Sequence, residues 1–346
     1  MTENKIANID DAPIFKFVKP YSNDSFSKME GIDIQDLLIL IDEYYIILRN
    51  TLELDDYITF GTEIEFENAS QDNIKNQLYK SFPKGTWISK VDRSLSKGFE
   101  INSPILRDTT KNWQNLDEVC SIIKQYAIIG ENSGGHIHIG TQTLGNKKTA
   151  WLNFIKLWST YENIIFRFSY GEFLNARKTM NEYAGPIAEQ LFRYYNLFVN
   201  TDISVEAIID SISGRRYQAV NFNNVDTKKC NSFLQDNTIE FRCPNGSLDA
   251  AIWQNNINLF VNLLLYSKNA SFDDDTISQR RISNIDIYDN LLWYDEIYLE
   301  QALELCDMIF HTNFDKINFL KQYLKSFQKC NSNNSSPIPY TLTKKK

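Results

Sequence analysis

The stretch Gly61-Thr-Glu-Ile-Glu-Phe-Glu67 has the two-residue alternation that is typical of a β-strand. Successive side chains of a strand point to opposite faces of its sheet. Ile64 and Phe66 therefore share one face. Glu63 and Glu65 share the other face. Amphipathic strands commonly turn carboxylates toward water, so this stretch alone predicts a strand and leaves its function open.

Three further segments repeat the alternation: Gly98-Phe-Glu-Ile-Asn102, Gly135-His-Ile-His-Ile-Gly140 and Thr238-Ile-Glu-Phe-Arg-Cys243. In each of them, apolar side chains alternate with side chains that ligate metals or bind anions. If the four strands belong to one sheet, its polar face gathers Glu63, Glu65, Glu100, His136, His138, Glu240 and Arg242.

Four carboxylates on one face repel one another unless cations lie between them. Carboxylate oxygens combined with one or two imidazoles suit Mg²⁺ or Mn²⁺. Glu63 and Glu65 lie two residues apart on one face, so both can ligate, and Glu100 is the next candidate. The alternative for each is a solvated surface glutamate.

The four segments together resemble the amidoligase family, which lies within the carboxylate–amine ligases that include glutamine synthetase and glutamate–cysteine ligase. The matching pieces are GTEIEFE, VDRSLSKGFEINSPIL, GGHIHIG and TIEFRCPNGSLD, in that order, from Gly61 to about the helix after Asp249. The resemblance implies an α+β fold with a curved, mainly antiparallel sheet and helices on one face, as in glutamine synthetase and guanidino kinases. The polar concave face is then the active site, with two or more divalent ions.

Residue roles also follow from the resemblance. His136 is implied as a metal ligand and His138 as a phosphate or substrate contact. Glu240 resembles the late metal-ligating glutamate and Arg242 the arginine that contacts phosphate, although a plain surface ion pair is the alternative. Glu63, Glu240 and Arg242 are therefore the expected catalytic residues.

Several polar residues are candidates for binding substrate or nucleotide. Asp92 and Ser94 match the D-x-S element of the family, which shapes either the substrate site or a hairpin turn. Asn221 is predicted to reach the nucleotide. A guanidinium binds carboxylate or phosphate through two parallel hydrogen bonds, which makes three arginines candidates beside their alternative surface roles. These are Arg177, Arg215 and Arg216.

The expected function is an ATP-dependent ligase that joins a carboxylate to an amine through an acyl phosphate. Its substrates are expected to be peptides, amino-acid derivatives or cell-envelope components. The sequence has no GxxxxGK[ST] or GxGxxG signature, so ATP use depends on the strand pattern and the resemblance. Three alternatives stay open: a phosphotransferase on the same fold, a metal-dependent amide hydrolase, and a binding module without activity.

Composition limits the classes of binding partner and the locations expected for the protein. The 346 residues have a net charge of −8 and no basic block within the fold, which argues against a nucleic-acid partner. No run of about 18 apolar residues predicts a membrane span, and no secretory signal is expected. The five cysteines have no CxxC spacing, which favours reduced thiols and a cytoplasmic location. The Asn-, Lys- and Ile-rich composition suggests a bacterial or phage origin, and the oligomeric state stays open.

The expected organisation is a single catalytic domain over 33–328, with core motifs at 57–268 and C-terminal helices at 285–328. A partly disordered arm is predicted over 1–32 and a mobile tail over 329–346. Hydrophobic spacing predicts a helix over 34–54 and another over 114–129. Residues 215–222 are predicted to form a strand.

Overall fold

A computed structural model describes residues 46–95, 97–214, 216–231, 234, 236–269 and 296–325. The predicted N-terminal arm, the mobile tail and Arg215 lie outside these residues. Most of the predicted helix over 34–54 also lies outside them, but its end is described, and that part of the prediction is wrong. Residues 46–54 are not helical, because the backbone amides of Leu52 and Leu54 donate to the carboxylate of Asp108 instead of to helical carbonyls.

One six-stranded sheet organises the chain. Its strands are β1 (Phe60–Phe66), β2 (Ile88–Val91), β3 (Phe99–Asn102), β4 (Gly135–Gly140), β5 (Val220–Asn221) and β6 (Thr238–Phe241). The strands lie in the order β2-β3-β1-β4-β6-β5, and every adjacent pair is antiparallel. The predicted α+β class with a mainly antiparallel sheet is confirmed, and the four segments with alternating chemistry are neighbours at its centre.

The described helices are α1 (Gln71–Ser81), α2 (Thr110–Lys124), α3 (Lys148–Ser169), α4 (Met180–Tyr183), α5 (Ala188–Phe198), α6 (Val205–Ile212), α7 (Ala250–Asn269), α8 (Glu296–Ile309) and α9 (Asn313–Leu324). Helix α2 begins earlier than predicted because the Thr109 side chain caps it, accepting a hydrogen bond from the Asn112 amide. It ends before 129 because Ile128 pairs with Glu67, at the end of β1. None of the described helices is long and apolar enough to cross a membrane.

Aromatic and aliphatic side chains fill the apolar face of the sheet. Ile64, Ile101 and Ile137, from three adjacent strands, are fully buried. The Phe241 ring of β6 stacks on Phe260 of α7 with the centroids 4.2 Å apart. Helix α3 contributes Trp158, Phe154 and further large rings to this layer, and Trp113 of α2 stacks on Phe60. Helices α2, α3 and α7 therefore cover this face, and the other face is left for polar chemistry.

The predicted strand over 215–222 is much shorter than expected. Only Val220 and Asn221 form β5. Just before it, Gln218 bridges Gly185 and the Ala219 amide donates to the Gly185 carbonyl at 2.8 Å, while the Ala219 carbonyl accepts from the Arg242 amide. The loop before α5 therefore takes over this edge of the sheet.

Candidate active site

The strand register puts the polar side chains side by side. Glu63 lies opposite Asn102 on one neighbouring strand and opposite His136 on the other. Further along, His138 lies opposite Glu240, which in turn lies opposite Asn221. Residues directly opposite each other in antiparallel strands share a face. The expectation that these side chains share one face is confirmed.

A cleft of about 580 Å³ opens over this polar face. Every predicted site residue in the described part of the chain lines it, and only Arg215 falls outside that part. The lining comprises Glu63, Glu65, Lys90, Asp92, Arg93, Ser94, Glu100, Asn132, His136, His138, Arg177, Thr179, Tyr183, Arg216, Tyr217, Asn221, Asn223, Asn224, Glu240 and Arg242.

His136 stands at the centre of the acidic strands. Its Nδ1 lies 2.7 Å from a Glu63 carboxylate oxygen and 3.6 Å from one of Glu240, and its Nε2 lies 3.3 Å from Glu65. One ligand atom each from Glu63, His136 and Glu240 lie within 4.8 Å of one another. We call these three residues the histidine group.

A second cluster, the carboxylate group, consists of Glu65, Asp92 and Glu100, whose oxygens also lie within 4.8 Å of one another. Asp92 joins it from the β2–β3 connection. Its Oδ1 accepts hydrogen bonds from the amide and the hydroxyl of Ser94, each at 2.7 Å. The hairpin turn that the D-x-S element allowed is therefore present. The substrate role of Asp92 and Ser94 stays a prediction.

Both groups have donors that suit a divalent cation. The histidine group combines two carboxylates with an imidazole, and the carboxylate group offers only oxygen. Hard cations such as Mg²⁺ or Mn²⁺ prefer these ligands. In the carboxylate group, Lys90 forms an ion pair with Glu100 at 3.4 Å. One lysine does not balance three carboxylates, so this group suits a bound cation.

The electrostatics of the cleft are dominated by the histidines and Arg242. Burial by itself raises the pKa of Glu63, but hydrogen bonds and positive charge from His136 and His138 outweigh it and hold the pKa below its usual range. Burial likewise opposes ionisation of Glu240, whereas the charges of His136 and Arg242 lower its pKa overall. These two carboxylates are therefore held ionised, as metal ligands must be.

Two other groups shift in the opposite direction. Burial and the charge of Glu63 raise the pKa of Glu100, and Lys90 offsets only part of this. Burial lowers the pKa of His138, but its hydrogen bond with Glu63 and the charge of Glu240 raise it overall. The carboxylates that surround Glu100 and His138 thus favour bound cations and protons at these positions.

Neighbouring polar groups hold the glutamates in place. Asn102 donates to Glu63 at 2.9 Å, and Asn221 donates to Glu240 at 2.7 Å. The backbone amide of Gly134 donates to Glu65 at 2.5 Å. A Cβ at Gly134 would lie 2.9 Å from that carboxylate and 2.9 Å from the Arg177 guanidinium. A larger residue would have to displace one of these side chains, so the residues before β4 are closely packed against the site.

The two buried arginines of the cleft have different partners. Arg242 pairs with Glu240 and donates from Nε to the Tyr183 carbonyl at 2.9 Å. Arg177 donates to the carbonyls of Pro244 and Arg242 at 2.5 and 2.9 Å. Arg177 therefore holds the end of β6 in place, and its predicted contact with substrate stays a prediction.

Sequence reasoning missed several residues of the lining. Lys90 lies opposite Glu100 on β2, and the alternation of that strand is the signal that points to it. Asn132, Thr179, Asn223 and Asn224 come from loops that the fold brings to the cleft, for which the sequence has no periodic signal.

Comparison with known proteins identifies a family that matches the chain. The sequence matches the family described as “Putative amidoligase enzyme” over residues 67–264, more than half of the chain. The match begins just after Glu63 and Glu65, and it contains the other four residues of the two groups. A search of curated proteins finds no matching sequence.

Among solved structures, one described as the crystal structure of a novel glutamine synthase homolog is similar to the chain at 10% sequence identity with a TM-score of 0.41. That similarity covers 83% of this chain and 68% of the other. On the strength of the family match, the chain belongs to this amidoligase family.

Proposed function

We propose that the protein is an ATP- and Mg²⁺-dependent ligase that forms an amide bond between a carboxylate and an amine. The observation that carries the proposal is the convergence of Glu63, His136, Glu240 and Arg242 in one cleft of an amidoligase-family chain. Such a set combines cation ligands with an arginine beside them, which phosphoryl transfer requires.

The charge of the cleft supports a nucleotide with metal ions. Within the described lining, five carboxylates face five Lys and Arg side chains. Two divalent cations, one in the histidine group and one in the carboxylate group, would make this balanced surface strongly positive. A positive cleft matches the negative charge of a triphosphate. Mg²⁺ ions held by these two groups would neutralise charge on the phosphates.

The proposed chemistry has two steps. The γ-phosphoryl group of ATP is transferred to a carboxylate oxygen of the substrate, which yields an acyl phosphate and ADP. The amine nitrogen then attacks the acyl carbon, the carbon–oxygen bond to phosphate breaks, and the nitrogen loses a proton. Arg242 is the group that would contact the transferring phosphoryl oxygens, while Asn221 and Asn102 keep Glu240 and Glu63 oriented.

Calorimetric titration of Mg²⁺-ATP tests the nucleotide site. The wild-type protein is expected to bind, and the Glu63→Ala/Glu65→Ala variant is expected to lose binding because both groups lose a ligand. Titration in EDTA is the matched control for the metal. Absence of wild-type binding with either Mg²⁺ or Mn²⁺ would contradict the proposal.

A second assay tests the reaction class. ADP release is measured with peptide and amino-acid carboxylates, each with and without an amine. The products are identified by mass spectrometry. A ligase requires both substrates and yields an amide. A phosphorylated product that is independent of amine would identify a phosphotransferase, and amide cleavage without ATP would identify a hydrolase.

A further inference from the structure

Arg93 differs from the other cationic side chains of the cleft. Arg242 pairs with Glu240, Arg177 donates to carbonyls, Lys90 pairs with Glu100, and Arg216 lies over the Tyr217 ring with its Cζ 5.8 Å from the centroid. Among these lining residues, Arg93 makes no hydrogen bond, ion pair or ring contact with the described part of the chain.

The lack of a partner is informative because carboxylates are close by in the chain. Arg93 directly follows Asp92, a member of the carboxylate group, yet it forms an ion pair with none of the three acids. Its side chain is exposed, so its charge keeps its hydration and needs no internal partner. The guanidinium is therefore available to a ligand in the cleft.

The backbone on both sides of Arg93 is fixed. Asp92 accepts hydrogen bonds from the amide and hydroxyl of Ser94, which closes a turn around Arg93. A side chain that starts from a closed turn and enters a cleft has a defined reach. This arrangement is typical of a binding residue held by its neighbours.

The position of Arg93 separates it from the histidine group and from Arg242, the proposed contact of the transferring phosphoryl group. The histidine group and Arg242 belong to the central strands β1, β4 and β6, whereas Arg93 lies in the connection that follows β2, at one edge of the sheet. A guanidinium is always charged and fits a carboxylate or a phosphate through two parallel hydrogen bonds. An anionic group that extends from a ligand bound at the carboxylate group would lie on this side.

We propose that Arg93 binds an anionic group of the organic substrate other than the reacting carboxylate. The inference rests on the proposed function and makes it more specific, since the cleft then selects substrates that carry a second anionic group. Arg93 is a specificity residue of the site, without a part in bond formation.

Binding of small probes tests this assignment. Glutarate, 4-phosphonobutyrate and butyrate are titrated into the protein loaded with Mg²⁺ and a non-hydrolysable ATP analogue. The two dianions carry a second anionic group, and butyrate lacks it. Arg93→Gln is expected to weaken at least one dianion by about 10-fold or more, the value of a charge-assisted bidentate contact, and to leave butyrate unchanged. Arg93→Lys should retain part of the affinity.

Arg193→Gln is the matched control. It removes the same charge from an exposed arginine on α5 outside the cleft lining and should change no affinity. Thermal midpoints of all variants verify folding. Equal affinity of wild-type and Arg93→Gln proteins for both dianions overturns the proposal, and so does wild-type protein that binds neither.

Titration of the ATP analogue into Arg93→Gln shows whether Arg93 binds a substrate anion or a nucleotide phosphate. If Arg93→Gln weakens the ATP analogue but neither dianion, the partner of Arg93 is a nucleotide phosphate and the assignment is overturned. Failure of the proposed function is recognised differently, since Mg²⁺-ATP would then fail to bind the wild-type protein. The dianions are also titrated without nucleotide. If Arg93→Gln loses their binding there, the anion site at Arg93 is supported even when ATP does not bind.

Discussion

A buried glutamate and a partly buried one show how differently the protein uses the same side chain. Glu162 of α3 accepts hydrogen bonds at 2.8 Å from the Trp158 indole and the Ile187 amide, and at 2.9 Å from the Ala188 amide. Each of its donors is a fixed N–H group, and two of them belong to the start of α5. Glu162 therefore caps the N-terminus of α5, although it belongs to another helix.

Glu63 has ionisable neighbours instead. Its carboxylate contacts His136 at 2.7 Å and His138 at 3.4 Å, in a cleft shared with further glutamates. Burial raises the pKa of Glu162 to about 7, with its hydrogen bonds offsetting only part of that effect. At Glu63 the histidines reverse the effect of burial and lower the pKa. The comparison teaches that burial marks neither residue as functional, whereas the chemistry of the partners does.

The largest expected effect comes from making Glu63 neutral without changing its shape. Glu63→Gln should lower ATP turnover by about 10³-fold, because a ligand charge is lost where phosphate charge must be neutralised. Its thermal midpoint should fall modestly at neutral pH, since His136 and His138 stabilise the ionised Glu63 carboxylate in the folded protein, and the variant should still fold. Turnover and thermal unfolding are measured on the same preparation. Wild-type turnover in Glu63→Gln would remove Glu63 from the proposed site.

A smaller loss is expected for Arg242→Lys, which keeps the charge at the side of Glu240 but removes the planar fork. Turnover should fall by about 10²-fold, in the range for loss of one donor to a developing charge. Steady-state ADP release measures it, with Arg193→Lys as the matched control on the surface. If lysine supports the wild-type rate, Arg242 does not contact the transferring phosphoryl group.

Asp92→Asn tests whether the carboxylate group holds a cation of its own. The variant keeps an oxygen that can accept from Ser94, so the turn should persist, but it removes one charge from the cluster. Apparent Mn²⁺ affinity should weaken by about 10-fold for one of two binding events, as measured by electron paramagnetic resonance titration. A single binding event in the wild-type protein, unaffected by the change, would show that only the histidine group binds metal.

The smallest effect on activity is expected for Glu162→Gln, the structural counterpart of Glu63→Gln. Turnover should stay at the wild-type level, while stability and its pH dependence change. The folded-state pKa of Glu162 is raised to about 7 from an ordinary 4.5. Its contribution to stability is therefore fully present below pH 4.5 and is lost as the pH rises through 7.

Urea unfolding of both proteins between pH 5 and 8 measures this difference. The stability advantage of the wild-type protein over Glu162→Gln should shrink with rising pH, by about 3 kcal/mol at most. Parallel curves would mean that Glu162 has the same pKa in both states. If a folded Glu162→Gln protein loses turnover, Glu162 contributes to the active site and its purely structural role is wrong.

The amino-acid sequence by itself determined the central strands and what their polar face carries. The alternation around Glu63, Glu100, His136 and Glu240 is a local property of the backbone, because side chains of a strand must point to opposite faces. Apolar residues on the other face then decide which side is buried. The predicted faces therefore follow from short segments read one at a time, and the family follows from the four segments taken together.

Only the tertiary structure decided which charged groups meet and which stay without a partner. The approach of Asp92 to Glu65 depends on the order of strands β2, β3 and β1, and the loss of helix over 46–54 depends on Asp108, more than fifty residues away. Arg93 and Arg193 are both exposed arginines, yet only Arg93 lines the cleft. The physical reason is that packing and charge pairing act between residues distant in the chain, where local spacing holds no information.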